Sequence, residues 1–166
     1  MEDRLVQPIV LLVDKADPGN HFDAVVAVAM ASVAAYAHQP ASGLSPTWEP
    51  WLGQSFAKTV RRADRKAFER IAGTGGQRVY LGSAQAIAFT PTTYGHMPKI
   101  LAHLQVSGTE LPRRPENRQA DAADVRIVLN ASLGMSTGKT AAQAAHALFA
   151  WFTGLNVAEG SAIRQS

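Results

Sequence analysis

The sequence predicts an α/β fold: a mixed four-stranded sheet with helices on both faces, followed by an appended strand–helix unit. The first observation behind this prediction is that an apolar strand followed by an alanine-rich helix occurs twice, in residues 7–36 and 125–152. The second is a pair of short strands joined at Gly82-Ser83, a connection typical of a hairpin. The chain has 166 residues, of which 46% are hydrophobic, and this is enough to bury a core.

The elements of the first 111 residues follow from local patterns. Ile9-Val10-Leu11 is an apolar run that suits a buried strand, and residues 24–37 suit a buried helix that is too short to span a bilayer. Asp64 begins a second predicted helix, which continues to Ala72 and is ended by Gly73. The other predicted elements are strands over residues 56–60, 78–81 and 84–89.

Composition narrows the class of protein. A formal charge of +3 is mildly basic, which permits contact with a polyanion such as tRNA without requiring it. The sequence contains no cysteine, which excludes a disulfide framework and a thiolate zinc site, and its five histidines show no paired spacing typical of metal ligands. Residues 1–8 are too polar for a signal peptide, so we expect a cytoplasmic protein that does not enter a membrane.

Residues 126–152 carry the most chemical information. Ile127-Val128-Leu129 predicts a buried strand, and a loop with two glycines then leads to Gly138-Lys139-Thr140 at the start of an alanine-rich helix. The first-turn N–H groups of a helix have no partner within the helix, and the helix dipole is positive at that end. The pattern therefore predicts an anion-binding site at this helix start.

The same helix separates its residues by face. Lys139, Gln143 and His146 fall on one narrow stripe at about 100° of rotation per residue, and we expect this stripe to face solvent. The opposite, buried side is formed by the residues Ala141, Ala145, Leu148, Phe149 and Phe152. The alternative is that Lys139 is a solvated first-turn residue and His146 a half-buried structural one.

Two interpretations of Gly138-Lys139-Thr140 compete. A phosphate-binding P-loop requires a glycine five residues before the Gly-Lys pair, but position 133 is leucine and the nearest glycine, Gly134, is one residue too close. No aspartate follows a nearby strand to bind magnesium, so nucleotide binding remains a distant possibility. The second interpretation is a resemblance: Met135–Ala147, M-S-T-G-K-T-A-A-Q-A-A-H-A, resembles the signature of the type 2 peptidyl-tRNA hydrolase family.

The resemblance implies an enzyme that hydrolyses the ester between a peptide and tRNA, with peptidyl-tRNA as substrate and no metal or cofactor. Lys139 and His146 are then the catalytic candidates, whereas Gly138, Thr140 and Gln143 bind substrate. Lys139 could stabilise negative charge on the ester oxygen or act as a general base, and we favour the electrostatic role. His146 could anchor RNA or orient water, and Gln143 could donate hydrogen bonds.

The order of the elements suggests an internal repeat. Residues 48–111 resemble the later part of the family's domain, including its closing segment at 97–105, yet the signature comes after them. We therefore expect residues 1–111 to be a degenerate copy, 112–124 a linker, and 125–166 a partial second copy. In the first copy, Lys139 corresponds to His21 or Asp23, depending on a two-residue shift.

The chain also departs from the family. Family members carry an acidic residue and a hydroxyl in the turn between the later strands, whereas the turn here has Ser83 and no carboxylate. A catalytically inactive tRNA- or protein-binding module is therefore the alternative function. The second copy could dock on the first, pack loosely, or complete itself in a homodimer. Two basic clusters, at residues 61–70 and 113–118, suit either a solvated face or an RNA-facing patch.

Overall fold

The computed structural model describes residues 4–39, 45–114 and 125–164, with side chains as far as residue 154. Its sheet contains the strands β1 (Leu5–Leu12), β2 (Ala57–Ala63), β3 (Gln77–Leu81), β4 (Ala84–Ala88) and β5 (Thr92–Thr93). The four longer strands lie in the order β2-β1-β4-β3, and the two-residue β5 pairs with the start of β1. Because β1 is parallel to β2 and antiparallel to β4, the sheet is mixed, as predicted, but with β5 it has five strands in the described residues rather than the predicted four.

The helices in chain order are α1 (His21–Ala37), α2 (Trp48–Gly53), α3 (Arg65–Ala72), α4 (Lys99–Ala102) and α5 (Thr137–Arg164). The Asn20 side chain accepts from the Phe22 N–H at the start of α1, and the Asp64 side chain accepts from the Ala67 N–H at the start of α3. These two caps satisfy backbone donors that a helix start leaves without an intrahelical partner.

The central strand β1 divides the core into two layers because alternate side chains point to opposite faces. Ile9 and Leu11 pack with α1 and with Ala141, Ala144 and Ala145 of α5. Val6, Val10 and Leu12 pack on the other face with the residues Phe68, Ile71 and Leu101 of α3 and α4. Burying both faces explains why β1 is almost uniformly apolar.

One buried polar residue of β1 is satisfied by a helix. The Gln7 side chain is fully buried; it donates to the Ser32 carbonyl at 3.1 Å and accepts from the Ser32 hydroxyl at 2.5 Å. These bonds fix α1 against the middle of the sheet, since a buried amide without partners would be costly.

The predicted strand over residues 127–129 is wrong. Residues 125–130 form no ladder, and Val128 is 93% exposed. Ile127 and Leu129 instead insert alternate side chains into the apolar layer that contains α1 and α5. Alternate side chains of this segment are therefore buried, as in a strand. They pack on helices, however, and the backbone does not pair with the sheet.

The helix that carries the signature packs on the rest of the chain. The principal contacts of α5 are with α1 and then with β2, so the predicted partial second copy docks on the segment predicted as the first. The α5 backbone continues as helix to Arg164, well beyond the predicted apolar stretch. Most of the predicted linker, residues 115–124, lies outside the described residues. None of the described helices is both long and apolar enough to cross a bilayer.

Candidate functional site

The start of α5 differs from the predicted open anion site. The N–H of Gly138 donates to the Thr109 carbonyl at 3.3 Å, and the N–H of Lys139 donates to the Ser136 hydroxyl at 3.3 Å. The N–H of Thr140 donates to the Ser136 carbonyl at 2.9 Å, as in a regular helix. The prediction of unpaired first-turn donors is therefore wrong for Gly138 and Lys139, because the preceding chain already supplies acceptors.

Gly138 and Thr140 belong to the packing of this helix start. A Cβ on Gly138 would lie 3.5 Å from the Cβ of Thr109, so the glycine faces protein rather than a ligand. Thr140 is buried, and its hydroxyl donates to the Ser136 carbonyl at 2.8 Å. Their predicted role in substrate binding remains a prediction, and the structure separates them from the exposed stripe.

The exposed stripe itself is as predicted. Lys139, Gln143 and His146 are exposed along one side of α5. On the opposite side Ala141, Ala145 and Phe149 are completely buried, whereas Leu148 and Phe152 are half-buried. The periodicity of the sequence thus correctly predicted both faces of this part of the helix.

A cavity of about 320 Å³ opens beside Gln143 and His146, and we call it the β2–α5 cavity. Its lining consists of Ala57 and Lys58 from β2 and of Ala142, Gln143 and His146 from α5. Lys139 is not part of the lining. The structure therefore brings Gln143 and His146 together with Lys58, a residue that the sequence did not single out.

Lys58 lies against three aromatic rings. Its Nζ atom is 4.7 Å from the ring centroid of Trp51, 5.0 Å from that of Phe56 and 5.1 Å from that of Phe149. The indole N–H of Trp51 donates to the Ala57 carbonyl at 2.9 Å, which fastens α2 to the start of β2. Since Phe149 belongs to α5, the surroundings of Lys58 form only when α5 docks.

Burial changes the proton affinity of this amine. Loss of surrounding water lowers the pKa of Lys58 to about 7, because desolvation destabilises the charged ammonium more than the neutral amine. Its hydrogen bond is to the Phe56 carbonyl, at 3.0 Å. In the described part of the chain the ion pairs are Arg65–Asp14 and Arg78–Glu69, so no described carboxylate pairs with Lys58.

His146 is electrostatically coupled to Lys58. Its ring stacks on Phe56 with 4.4 Å between centroids and 14° between planes. Partial burial lowers the pKa of His146, and the positive charge of Lys58 lowers it further. At neutral pH the imidazole is therefore mainly uncharged and can accept or pass on a proton.

Phe56, on which both side chains lie, has an unusual backbone. Its φ is 31°, a left-handed conformation that a bulky residue rarely adopts. Such a conformation costs about 1–3 kcal/mol and persists only where the surroundings enforce it. The Phe56 ring stacks on His146 and meets the Trp51 ring edge-on, with 5.8 Å between the centroids of the latter pair.

A second polar cluster joins α1 to the hairpin turn. The buried carboxylate of Asp23 accepts from both the N–H and the hydroxyl of Ser83, at 3.0 Å and 2.9 Å. The turn between β3 and β4 contains no carboxylate of its own, but Asp23 of α1 provides one. Beside it, His21 Nδ1 lies 2.8 Å from the Thr137 hydroxyl, which connects α1 to the first residue of α5.

A larger cavity of about 480 Å³ lies on the other flank of α5, between α1 and residues 125–135. Its lining is mostly apolar, with His21 and Arg113 among the polar members. Burial lowers the pKa of His21, with a smaller contribution from the charge of Arg113. This cavity lacks the row of exposed polar side chains found beside Lys58.

The predicted basic clusters serve partly as structural anchors. Arg61 is buried, and its guanidinium donates to three carbonyls at the end of α4 and just beyond it, at 3.2–3.3 Å. Arg62 donates to the Thr109 hydroxyl at 3.4 Å, and Arg113 to the Met135 carbonyl at 3.1 Å. For Arg61 an RNA-facing role is therefore wrong, because its side chain is buried and its Nη1 donates to carbonyls inside the protein, whereas its buried Nε has no hydrogen-bond partner among the described residues.

No known protein family, curated protein sequence or solved structure matches this chain. Within residues 4–39, 45–114 and 125–154, no three side chains of His, Cys, Asp or Glu converge as a metal site requires. The function is therefore inferred from the geometry around α5 and from the sequence resemblance.

Proposed function

We propose that this protein is a peptidyl-tRNA hydrolase-like enzyme that cleaves the ester between peptide and tRNA. The observation that carries this proposal is the exposed row of Lys139, Gln143 and His146, with a cavity opening beside its last two members. A cation, an amide and an imidazole on one solvent-facing stripe suit an RNA end and a water molecule.

Each side chain has a distinct part in the proposed reaction. Lys139 attracts the negatively charged RNA end and stabilises the ester oxygen as it becomes negative. His146, mainly uncharged at neutral pH, accepts a proton from the attacking water. Gln143, which lines the cavity, donates hydrogen bonds that orient the ester.

The Asp23–Ser83 pair supports the same proposal. The family pattern has an acidic residue near a hydroxyl, and here α1 and the hairpin turn together supply both groups. His21, two residues before Asp23 on α1, lies 2.8 Å from the hydroxyl of Thr137, the first residue of the helix that carries Lys139.

The experiment is release of peptide from purified peptidyl-tRNA by the wild-type chain and by Lys139→Ala. We expect the variant to lose roughly 100-fold or more in rate, as when a charge-stabilising group is removed. Lys99→Ala, which removes an exposed lysine at α4, is the matched control and should keep wild-type turnover. An inactive wild-type chain, or equal rates for wild type and Lys139→Ala, would contradict the proposal.

A tRNA-binding module without turnover is the second candidate. It is favoured by the start of α5, where Ser136 and Thr109 occupy N–H groups that could otherwise bind an oxyanion. In that case both wild type and Lys139→Ala would fail to release peptide, but wild type would bind tRNA in a salt-dependent manner and the variant would bind more weakly.

A further inference from the structure

The β2–α5 cavity is built around an amine without an acidic partner. The Lys58 side chain extends from an edge strand of the sheet to a cavity shared with α5. Of the five lining residues, Lys58 and His146 are the two that ionise, and neither forms an ion pair in the described residues. A mostly buried lysine with no counter-charge is costly for stability and is typical of a chemically active amine.

We propose that Lys58 is a nucleophilic amine that forms imines with small aldehydes or ketones in the β2–α5 cavity. This inference shares the cavity, Gln143 and His146 with the proposed hydrolase, but it does not depend on that activity, because the reacting group is Lys58 and not Lys139. A volume of about 320 Å³ is at the lower end of ligand sites, which span about 300–1,000 Å³, so the carbonyl compound must be small.

The reaction is balanced without any oxidant or reductant. The lone pair of Nζ attacks the carbonyl carbon, the C=O π electrons move to oxygen, and a proton transfers from nitrogen to that oxygen to give a carbinolamine. The hydroxyl then takes up a proton and leaves as water while nitrogen forms the C=N bond, which gives a protonated imine. Loss of the remaining N–H proton gives the neutral imine and returns the proton that was taken up. The net change is one amine and one carbonyl compound converted to one imine and one water.

The surroundings of Lys58 favour both ends of this reaction. Attack requires the neutral amine, and burial makes about half of the Lys58 side chains neutral at pH 7. The protonated imine, like the Lys58 ammonium, carries its positive charge at Nζ. The faces of Trp51, Phe56 and Phe149, at 4.7–5.1 Å from Nζ, attract that cation as they attract the ammonium.

The other polar lining residues supply the proton transfers and the orientation. His146 lines the same cavity, and its mainly uncharged imidazole can carry a proton between the nitrogen and the oxygen of the reacting group, passing through the imidazolium form. It can therefore protonate the departing hydroxyl as a general acid. Gln143 offers an amide N–H to the carbonyl oxygen before attack.

The test is reductive labelling of the full-length wild-type chain with glycolaldehyde and cyanoborohydride at pH 7, followed by peptide mapping. We expect Lys58 to be labelled roughly ten-fold or more faster than Lys139, although Lys139 is the more exposed lysine. The Lys58 labelling rate should rise with pH and level off above a midpoint of about 7. Labelling of Lys139 as fast as or faster than Lys58 would overturn the proposal.

Two variants sharpen the result. Lys58→Arg should remove the fast labelling and leave labelling of Lys139 unchanged. His146→Phe keeps an aromatic ring stacked on Phe56 but removes the ring nitrogens, and we expect it to slow labelling of Lys58 roughly ten-fold. Unchanged labelling of Lys58 in His146→Phe would contradict the role of His146 in this reaction. None of these outcomes depends on peptidyl-tRNA turnover, so failure of one proposal is distinguishable from failure of the other.

Discussion

Lys139 on α5 and Lys58 on the neighbouring strand β2 have opposite environments. Lys139 is exposed in the first turn of the helix, where Thr109 and Ser136 accept hydrogen bonds from the backbone. Lys58 is mostly buried against three aromatic rings and has no acidic partner among the described residues. The difference shows that the lysine in the recognisable motif stays in solvent, whereas the lysine outside any motif is desolvated and has its pKa lowered to about 7.

The largest expected effect on stability comes from removing the ring of Phe149, which belongs to α5 and lies against Lys58. Phe149 is completely buried and packs with Trp48 and Trp51. We expect Phe149→Ala to lower the free energy of unfolding by about 3–5 kcal/mol, because it leaves a cavity between α5 and α2. Urea unfolding measures this loss.

The matched control for that change is Trp151→Ala on the same helix. Trp151 is 42% exposed, so its removal should alter the free energy of unfolding by much less than that of Phe149. Equal losses for the two variants would mean that α5 does not pack on α2 and β2 as described.

Next in size is the cost of burying Lys58. Replacing it with the equally long, uncharged methionine should raise the free energy of unfolding at pH 7 by about 1–2 kcal/mol. The pKa of Lys58 falls from 10.5 to about 7 on folding, so the unfolded chain binds more protons between these values. Wild-type stability should therefore gain a contribution as pH rises from 7 to 10.5, and Lys58→Met should lack it.

Lys139→Met serves as the comparison, since the same change at an exposed position should shift stability by less than about 0.5 kcal/mol. Urea unfolding at pH 7 and pH 9 gives both quantities. If the two methionine variants behave alike at both pH values, the contrast between the two lysines is wrong.

A smaller effect tests the helix start. Ser136→Ala removes the hydroxyl that accepts from the Lys139 N–H, and we expect it to lower the free energy of unfolding by about 0.5–1 kcal/mol. Ser132→Ala, in the exposed turn just before, makes the same chemical change with a smaller expected loss. Thermal or urea unfolding of the pair is sufficient. No loss in Ser136→Ala would mean that the first-turn donors are open, as the sequence alone suggested.

The smallest effect concerns His146. His146→Phe should leave stability within about 0.5 kcal/mol of wild type, because the new ring keeps the stack on Phe56. In wild type, NMR titration of His146 should give a midpoint below 6.5, owing to burial first and to the charge of Lys58 second. The midpoint should rise in Lys58→Met, where that charge is absent. A wild-type midpoint at or above 6.5 would contradict this coupling.

Local patterns predicted much of the fold. The strand at Ile9–Leu11, the helix ending before Gly73 and the hairpin at Gly82-Ser83 depend on short-range periodicity and turn chemistry, and all three are confirmed. The predicted strand at 127–129 failed because alternation records one buried face but not what buries it. Nothing in those residues distinguishes packing on helices from pairing in a sheet.

The candidate site was predictable only in part. The stripe of Lys139, Gln143 and His146 lies on one helix, so its spacing alone predicted its direction. Lys58 was missed because its surroundings come from three separate elements, with Trp51 on α2 and Phe149 on α5. Asp23 was missed as the partner of Ser83 for the same reason. Such groups meet only after the tertiary fold forms.

The most direct test is NMR titration of the lysine side chains in the full chain with ¹³C-labelled lysine. The docking of α5 over β2 predicts that one lysine, assigned to Lys58 by its absence in Lys58→Met, titrates with a midpoint of about 7. A Lys58 midpoint near its ordinary value of 10.5 would contradict the account, because it would show that the amine remains in water.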